Sequence, residues 1–188
     1  MLVAVDMDED TCAFVYTFTC FSCILTLPDS ESLYGQWGVS DIRGCALTVE
    51  ILSNPPHSLI DPKRTIIRGG SAGGFIVLAS LVAYPNTFSA GTCMFGISDL
   101  KKLNDRTHKF QSKSVERLMG GTYLQIPEVY RARSPVFHAD KIKAPLLVSA
   151  VHFHAGKIVR LYVDRARFVG CCRSTRASGR HRHYYQSQ

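Results

Sequence analysis

A serine surrounded by glycines is the residue best suited to chemistry in this 188-residue chain. Residues 69–74 read Gly-Gly-Ser-Ala-Gly-Gly and contain the pattern Gly-x-Ser-x-Gly centred on Ser71. A serine in a sharp turn between a strand and a helix can act as a nucleophile toward a carbonyl carbon. The sequence therefore makes Ser71 a candidate nucleophile for acyl transfer.

The neighbours of this serine have roles in the same chemistry. A side chain two positions away would obstruct the tight turn, so we expect glycine to be required at Gly69 and Gly73. The predicted elbow glycines are Gly69, Gly70, Gly73 and Gly74. A helix starting at Ala72 would direct its free N–H groups to the turn, which makes the Ala72 N–H a candidate oxyanion donor. A glycine-rich turn without chemistry, or a phosphate cradle, remains an alternative.

The residues around this turn predict alternating helices and strands. Apolar residues at helical spacing predict a helix that starts at Ser40 or Asp41 and stops at Asn54-Pro55-Pro56. The predicted strands are 64–67, 88–95 and 144–149, and further predicted helices are 75–84 and 108–119. Strands that alternate with helices indicate an α/β fold with a mostly parallel sheet and helices on both faces.

The net charge of +7 is concentrated at one end of the chain. From Lys157 onward, Lys and Arg outnumber acidic residues by eight to one, whereas residues 1–156 carry equal numbers of each sign. The basic excess is therefore a property of the tail, and we expect no nucleic-acid partner for the domain. Electrostatic binding of RNA by the tail is the alternative, although aromatic residues between its arginines are few.

The cysteines and the apolar N-terminal run bear on location and metal binding. Seven cysteines form no set with zinc-site spacing, so we expect reduced thiols, no metal and no cofactor. The run Cys12–Leu27 is shorter than the ~20 residues needed to span a bilayer, and its N-terminal flank is acidic. We therefore predict a cytoplasmic protein without a membrane partner; the oligomeric state stays open.

Further motifs occur in a fixed order on both sides of the elbow. They are Gly-Gln-Trp-Gly-Val-Ser-Asp at 35–41, Ile-Asp-Pro-Lys-Arg at 60–64, Arg-Gly-Gly-Ser-Ala-Gly-Gly-Phe at 68–75, Thr-His-Lys-Phe at 107–110, Val-Tyr-Arg at 129–131, Ser-Pro-Val-Phe-His-Ala-Asp-Lys-Ile at 134–142 and Ile-Lys-Ala-Pro-Leu-Leu at 142–147. In this order the motifs resemble the prolyl oligopeptidase family of serine peptidases, on its dipeptidyl- and acylaminoacyl-peptidase branch.

The resemblance implies an α/β-hydrolase fold and acyl transfer from a short peptide or ester. In such enzymes a serine attacks the carbonyl, a histidine acts as base, and an aspartate orients the histidine. The chain order is serine, aspartate, histidine, so Ser71 would come first. Composition and pattern divide the chain into an apolar segment 1–33, a central zone 34–148 and a basic tail 149–188, and the resemblance implies that the central zone is the core of a catalytic domain.

The resemblance ends where the partners of the serine should appear. The orienting aspartate should follow the strand 144–149, but ungapped counting places His154 there. The remaining candidates are Asp164 as acid and His181 or His183 as base. No His-Gly-Gly-type segment, which would supply a second oxyanion donor, precedes Tyr34. We therefore expect a fold that is incomplete at both ends, with the regular strand pattern lost after residue 149.

Two functions from different classes fit these residues. The first is a serine peptidase or esterase that acts through Ser71. The alternative is a non-catalytic, truncated hydrolase-like fragment, or a module that binds peptides or a partner chain. We expect structural roles for His108 and His138. Asp99 follows the strand after the elbow and is a conceivable orienting acid, but the resemblance favours a loop-anchoring role for it.

Overall fold

One mixed sheet forms the centre of the protein. The computed structural model describes residues 2–7, 13–18, 33–106, 109–154 and 157–163, with side chains described in 33–105 and 113–149. Six described strands pair in chain order: β1 (Leu2–Met7), β2 (Ala13–Phe18), β3 (Thr65–Gly70), β4 (Ala90–Met94), β5 (Leu146–His154) and β6 (Lys157–Val163). Pairs β2–β3, β3–β4 and β4–β5 are parallel, whereas β1–β2 and β5–β6 are antiparallel. The prediction of a mostly parallel α/β sheet is confirmed.

Five α-helices connect these strands within the described residues. They are α1 (Ser40–Ser53), α2 (Ala72–Ala83), α3 (Leu100–Arg106), α4 (Lys109–Met119) and α5 (Pro127–Arg133), with 3-10 helices at Pro62–Arg64 and Pro135–Lys141. The predicted start and stop of α1 are confirmed. Helices α3 and α5 were not predicted, because seven residues are too few to show an apolar period clearly.

Helix α2 packs against the centre of the sheet. All its side chains from residue 72 to 81 are buried, because the helix is apolar on every side and needs contacts all round. It covers the face that carries Ile67, Cys93 and Leu146, all at most 3% exposed. The approach is close, since a Cβ on Gly91 would lie 2.7 Å from Leu81 Cδ1. Strand β3, which leads into Ser71, is therefore held by a well-packed core.

Regular structure continues beyond residue 149. Strand β5 runs to His154, and β6 pairs with it from Lys157 to Val163. The prediction that strands end at 149 is wrong, because β-branched residues on both sides of Ala155-Gly156 carry a hairpin pattern that the basic composition obscured. In the described part of the chain, no helix is long and apolar enough to cross a membrane.

Candidate active site

Ser71 occupies a strained turn between strand β3 and helix α2. Its backbone angles are φ 55° and ψ −118°, a region that residues with a Cβ rarely adopt. The Ser71 N–H donates to the Met94 carbonyl oxygen at 2.9 Å, so the turn is tied to the end of β4. Ser71 is exposed, and its side chain does not cap the helix. An exposed serine in a strained strand-to-helix turn is the geometry that the prediction of a nucleophile at Ser71 requires.

Close backbone packing beside the turn requires glycine at two positions. A Cβ on Gly74 would lie 2.6 Å from the Gly96 Cα, and one on Gly96 would lie 2.2 Å from Cys93 Sγ. At Gly70 a Cβ would meet the Met94 oxygen at 3.5 Å, an ordinary contact. The requirement for glycine is thus clearest at Gly74 and Gly96. The roles assigned to Gly69 and Gly73 stay predictions.

Gly96 was missed because its partner is distant in sequence. The Gly-x-Ser-x-Gly pattern concerns a single turn, whereas Gly96 follows strand β4 and meets that turn only in the folded protein. Its available signal was a glycine directly after a predicted strand.

Helix α2 begins at Ala72, as the oxyanion-hole argument requires. The first N–H groups of a helix lack acceptors within it and carry partial positive charge. The first intrahelical bond after the elbow runs from the Phe75 N–H to the Ser71 carbonyl oxygen, at 3.2 Å. The role of Ala72 as oxyanion donor stays a prediction with this helix start in its favour.

A second strained residue lies beside the elbow. Phe95 directly follows β4 and has φ 52°, an outlier for a bulky side chain. Gly70 and Met94 are paired and are the last residues of β3 and β4, so Ser71 and Phe95 each directly follow one of these two neighbouring strands. Phe95 is 47% exposed, and its N–H donates to the Ser149 carbonyl oxygen at 2.7 Å. No sequence signal distinguished this aromatic residue from a core phenylalanine.

Two buried ionisable groups lie at the start of α1. Burial raises the pKa of Asp41 to about 6, although N–H groups of Gly38 and Ile42 and the charge of Arg133 lower it. Burial, with a smaller contribution from Asp41, raises the pKa of Cys45 to about 12. A thiol with so high a pKa is a poor nucleophile near neutral pH. Cys45 is therefore a packing residue, which leaves Ser71 as the better candidate nucleophile.

The proposed partners of Ser71 fall outside the described residues. Asp164, His181 and His183 all lie there. His152 and His154 belong to β5, where the backbone pairs with Val159 and Lys157.

The described histidine side chains make no hydrogen bond to Ser71. They are His57 and His138, and no hydrogen bond between either of them and Ser71 occurs among the described residues. Asp99 accepts a hydrogen bond from the Lys102 N–H at 3.1 Å, which agrees with its expected loop-anchoring role. Among the described residues, no group of three potential metal ligands occurs. The base and the orienting acid therefore stay predictions.

The matching part of the chain includes the whole elbow. Residues 30–152 match the family model of the prolyl oligopeptidase family. The chain belongs to this family. The resemblance inferred from the ordered motifs is thereby confirmed, as is the α/β-hydrolase fold.

Relatives of known name come from several organisms. The chain is 27% identical over 132 residues to the acylamino-acid-releasing enzyme of Arabidopsis thaliana, covering 62% of this chain and 16% of that protein. It is 33% identical over 89 residues to dipeptidyl aminopeptidase BIII of Pseudoxanthomonas mexicana, covering 45% of this chain and 13% of that protein. The structure of a puromycin-hydrolyzing peptidase of Mycobacterium tuberculosis matches with a TM-score of 0.58 and 38% identity, over 63% of this chain and 17% of that one. The chain thus spans about a sixth or less of the length of the curated relatives.

Proposed function

We propose that this chain supplies the nucleophile of a serine peptidase or esterase that acts on short peptides or esters. The observation that carries the proposal is the exposed, strained Ser71 at the turn from β3 into α2. Backbone strain persists where the surrounding structure enforces it, and such sites are often functional. Family membership supports peptides as the substrate class.

The proposed reaction is nucleophilic acyl transfer. Ser71 Oγ forms a bond to the carbonyl carbon while its proton passes to a base, and the carbonyl electron pair moves to oxygen. The Ala72 N–H would donate to this oxyanion. When the tetrahedral species collapses, the amine or alcohol leaves with the proton from the base. Water then releases the acyl group from the serine by the same steps.

The proposed reaction also needs a base and an orienting acid. His181 and His183 are the candidates for the base, and Asp164 for the acid, because they follow the serine in the expected chain order. Removing one member of a working triad lowers turnover by roughly 10⁴- to 10⁶-fold. The cytoplasmic location and the lack of membrane or nucleic-acid partners likewise stay predictions.

A second candidate function is peptide or partner binding without turnover. The observation in its favour is the antiparallel pairing of β5 with β6 through residue 154, where the sequence analysis expected an orienting acid. In that case the elbow would be retained as part of the fold, and the serine would lack an activating base.

Labelling with a fluorophosphonate probe separates these two functions. The probe reacts with activated serines, so we expect labelling of the wild-type chain and none of Ser71→Ala. Ser58→Ala is a matched control, since Ser58 is also exposed with a positive φ of 45° but precedes no helix that could donate to an oxyanion. Retained labelling in this control would show that strain and exposure alone do not create reactivity.

The opposite result would contradict catalysis. If the folded wild-type chain resists the probe, Ser71 is not activated and the binding function is favoured. If it labels, a His181→Asn/His183→Asn double variant and Asp164→Asn test the partners. A variant that still labels at the wild-type rate excludes the substituted residue as base or acid.

A further inference from the structure

An arginine far along the chain hydrogen-bonds to the backbone of segment 35–38, which precedes helix α1. Arg133 Nη1 donates to the Trp37 carbonyl oxygen at 3.1 Å, and Nη2 donates to the Gly35 carbonyl oxygen at 3.0 Å. The planar guanidinium fork suits two acceptors held at a fixed spacing, which a lysine ammonium cannot match. A single half-buried side chain thus holds two backbone groups about one hundred residues away in sequence.

The same segment is also held from helix α4. The Gly35 N–H donates to the Arg117 carbonyl oxygen at 3.0 Å, and the Trp37 N–H donates to the Leu118 carbonyl oxygen at 3.3 Å. Gly35 and Trp37 therefore use both N–H and carbonyl in hydrogen bonds to other parts of the fold. Segment 35–38 is consequently fixed between α4 and α5.

Segment 35–38 packs against the first turn of helix α2. The Trp37 ring is fully buried, and its centroid lies 4.7 Å from that of Phe75. A Cβ on Gly38 would lie 2.8 Å from Phe75 Cζ, so the ring contacts the backbone directly. Phe75 is one helical turn after Ser71 and donates its N–H to the Ser71 carbonyl oxygen. The contact chain therefore runs from Arg133 through segment 35–38 to the elbow.

We propose that Arg133 is a positioning residue for Ser71, which it serves by holding segment 35–38 against Phe75 and so fixing the first turn of α2. The chemical consequence rests on the proposed function, whereas the mechanical one rests on these contacts alone. A serine at φ 55° keeps its strained turn only if its neighbours leave no room to relax. If segment 35–38 moves away from Phe75, the first turn of α2 and the Ser71 backbone gain room to relax.

A simpler role for Arg133 is to balance the charge of Asp41. The two residues interact electrostatically, and the fold buries Asp41 nearly completely. Arg133→Lys distinguishes the roles, because lysine keeps the charge but cannot bridge two carbonyls with one planar group. A positioning role predicts that Arg133→Lys resembles Arg133→Ala, whereas charge balance predicts that it resembles the wild type.

Hydrogen exchange of residues 68–78 tests the mechanical part without requiring activity. We expect exchange in this segment to become roughly tenfold faster in Arg133→Ala and Arg133→Lys, since local opening no longer breaks the two carbonyl contacts. Arg131→Ala is the matched control, because Arg131 is exposed on the same helix and lies over the Phe137 ring. Phe88→Leu is a control for a general loss of stability, because Phe88 is buried near the start of β4, away from the elbow. In this variant the exchange rate of residues 68–78 should stay unchanged relative to the rest of the chain.

The labelling rate of Ser71 tests the chemical part. We expect Arg133→Ala to label about tenfold more slowly under conditions where it remains folded, while Phe88→Leu labels at the wild-type rate. Millimolar methylguanidinium should restore both labelling and slow exchange in Arg133→Ala, because the half-buried position opens to solvent. Methylammonium, of equal charge, should not.

The possible outcomes separate the two proposals. Unchanged exchange at 68–78 in both Arg133 variants overturns the positioning role, whatever the labelling shows. Faster exchange with an unchanged labelling rate overturns the link to Ser71. A wild-type chain that never labels contradicts the proposed function, and the exchange data then decide whether Arg133 holds the elbow.

Discussion

Strands β3 and β5 are parallel, separated only by β4, and their carboxyl ends are built differently. Strand β3 stops at Gly70 and turns at once into a helix through the strained Ser71. Strand β5 has no such turn, since it continues to His154 and pairs with the returning strand β6. In a serine, aspartate, histidine order the first end is the proposed position of the nucleophile, and the second is the expected position of the acid.

The difference shows that an elbow is specified by local packing. Its turn is enforced by contacts within a short distance, namely the backbone approach of Gly74 to Gly96 and the bond from Ser71 to Met94. The end of β5 depends instead on its continued pairing with β6. A chain can therefore retain the first feature while the second changes, and a nucleophile elbow alone is no proof of a triad.

The largest expected effect concerns the glycine contact at the elbow. Gly74→Ala should lower the free energy of unfolding by about 3 kcal/mol, because its Cβ would meet backbone atoms that no side-chain rotation can move. Gly70→Ala is the matched control and should stay within about 0.5 kcal/mol of the wild type, since its Cβ makes an ordinary contact. Chemical denaturation measures both. Equal effects of the two variants would contradict the packing account of the elbow.

The second effect concerns the buried carboxyl group of Asp41, near the start of α1. The pKa of Asp41 is raised from 3.8 to about 6, so its contribution to stability is full below pH 3.8 and is lost as the pH rises through 6. Asp41→Asn mimics the protonated form and should be more stable than the wild type at pH 7 by roughly 2 to 3 kcal/mol, and nearly equal to it at pH 3.

Denaturation at a series of pH values checks this expectation. The exposed Asp140→Asn is the control for removing one negative charge. A variant Asp41→Asn that is less stable than the wild type at pH 7 would show that the ionised carboxylate and Arg133 support the fold, which contradicts the burial argument.

Much of this architecture follows from features that are close together in sequence. The helix stop at Pro55-Pro56, the strand before the elbow and the glycine run around Ser71 each depend on a few neighbouring residues, and all could be predicted. Phe95 and Arg133 could not, because their roles come from contacts with residues that are distant along the chain. The hairpin after residue 149 was not predicted for another reason, because the basic residues of this region obscure the apolar and β-branched residues of its two strands.

A smaller effect tests whether strain at the neighbouring strand end resembles that at Ser71. At φ 52° an alanine is strained and a glycine is not, so Phe95→Gly should be more stable than Phe95→Ala by about 1 kcal/mol. Both variants remove the same half-exposed ring, which makes them a matched pair. Guanidinium denaturation midpoints measure the difference. If Phe95→Ala proves the more stable, strain is absent at β4 and the elbow is the only strained end of the two.

The smallest expected effect is at the end of β5 itself. His154→Asp restores a carboxylate at the position where the sequence analysis expected the acid, yet we expect the labelling rate of Ser71 to stay within about twofold of wild type. The reason is that the backbone at 154 pairs with Lys157 and is therefore held in a strand instead of a loop. His152→Asp, two residues earlier in the same strand, is the control. A tenfold gain confined to His154→Asp would mean that the end of β5 can still present an acid to the elbow, so that the two strand ends differ in sequence and not in architecture.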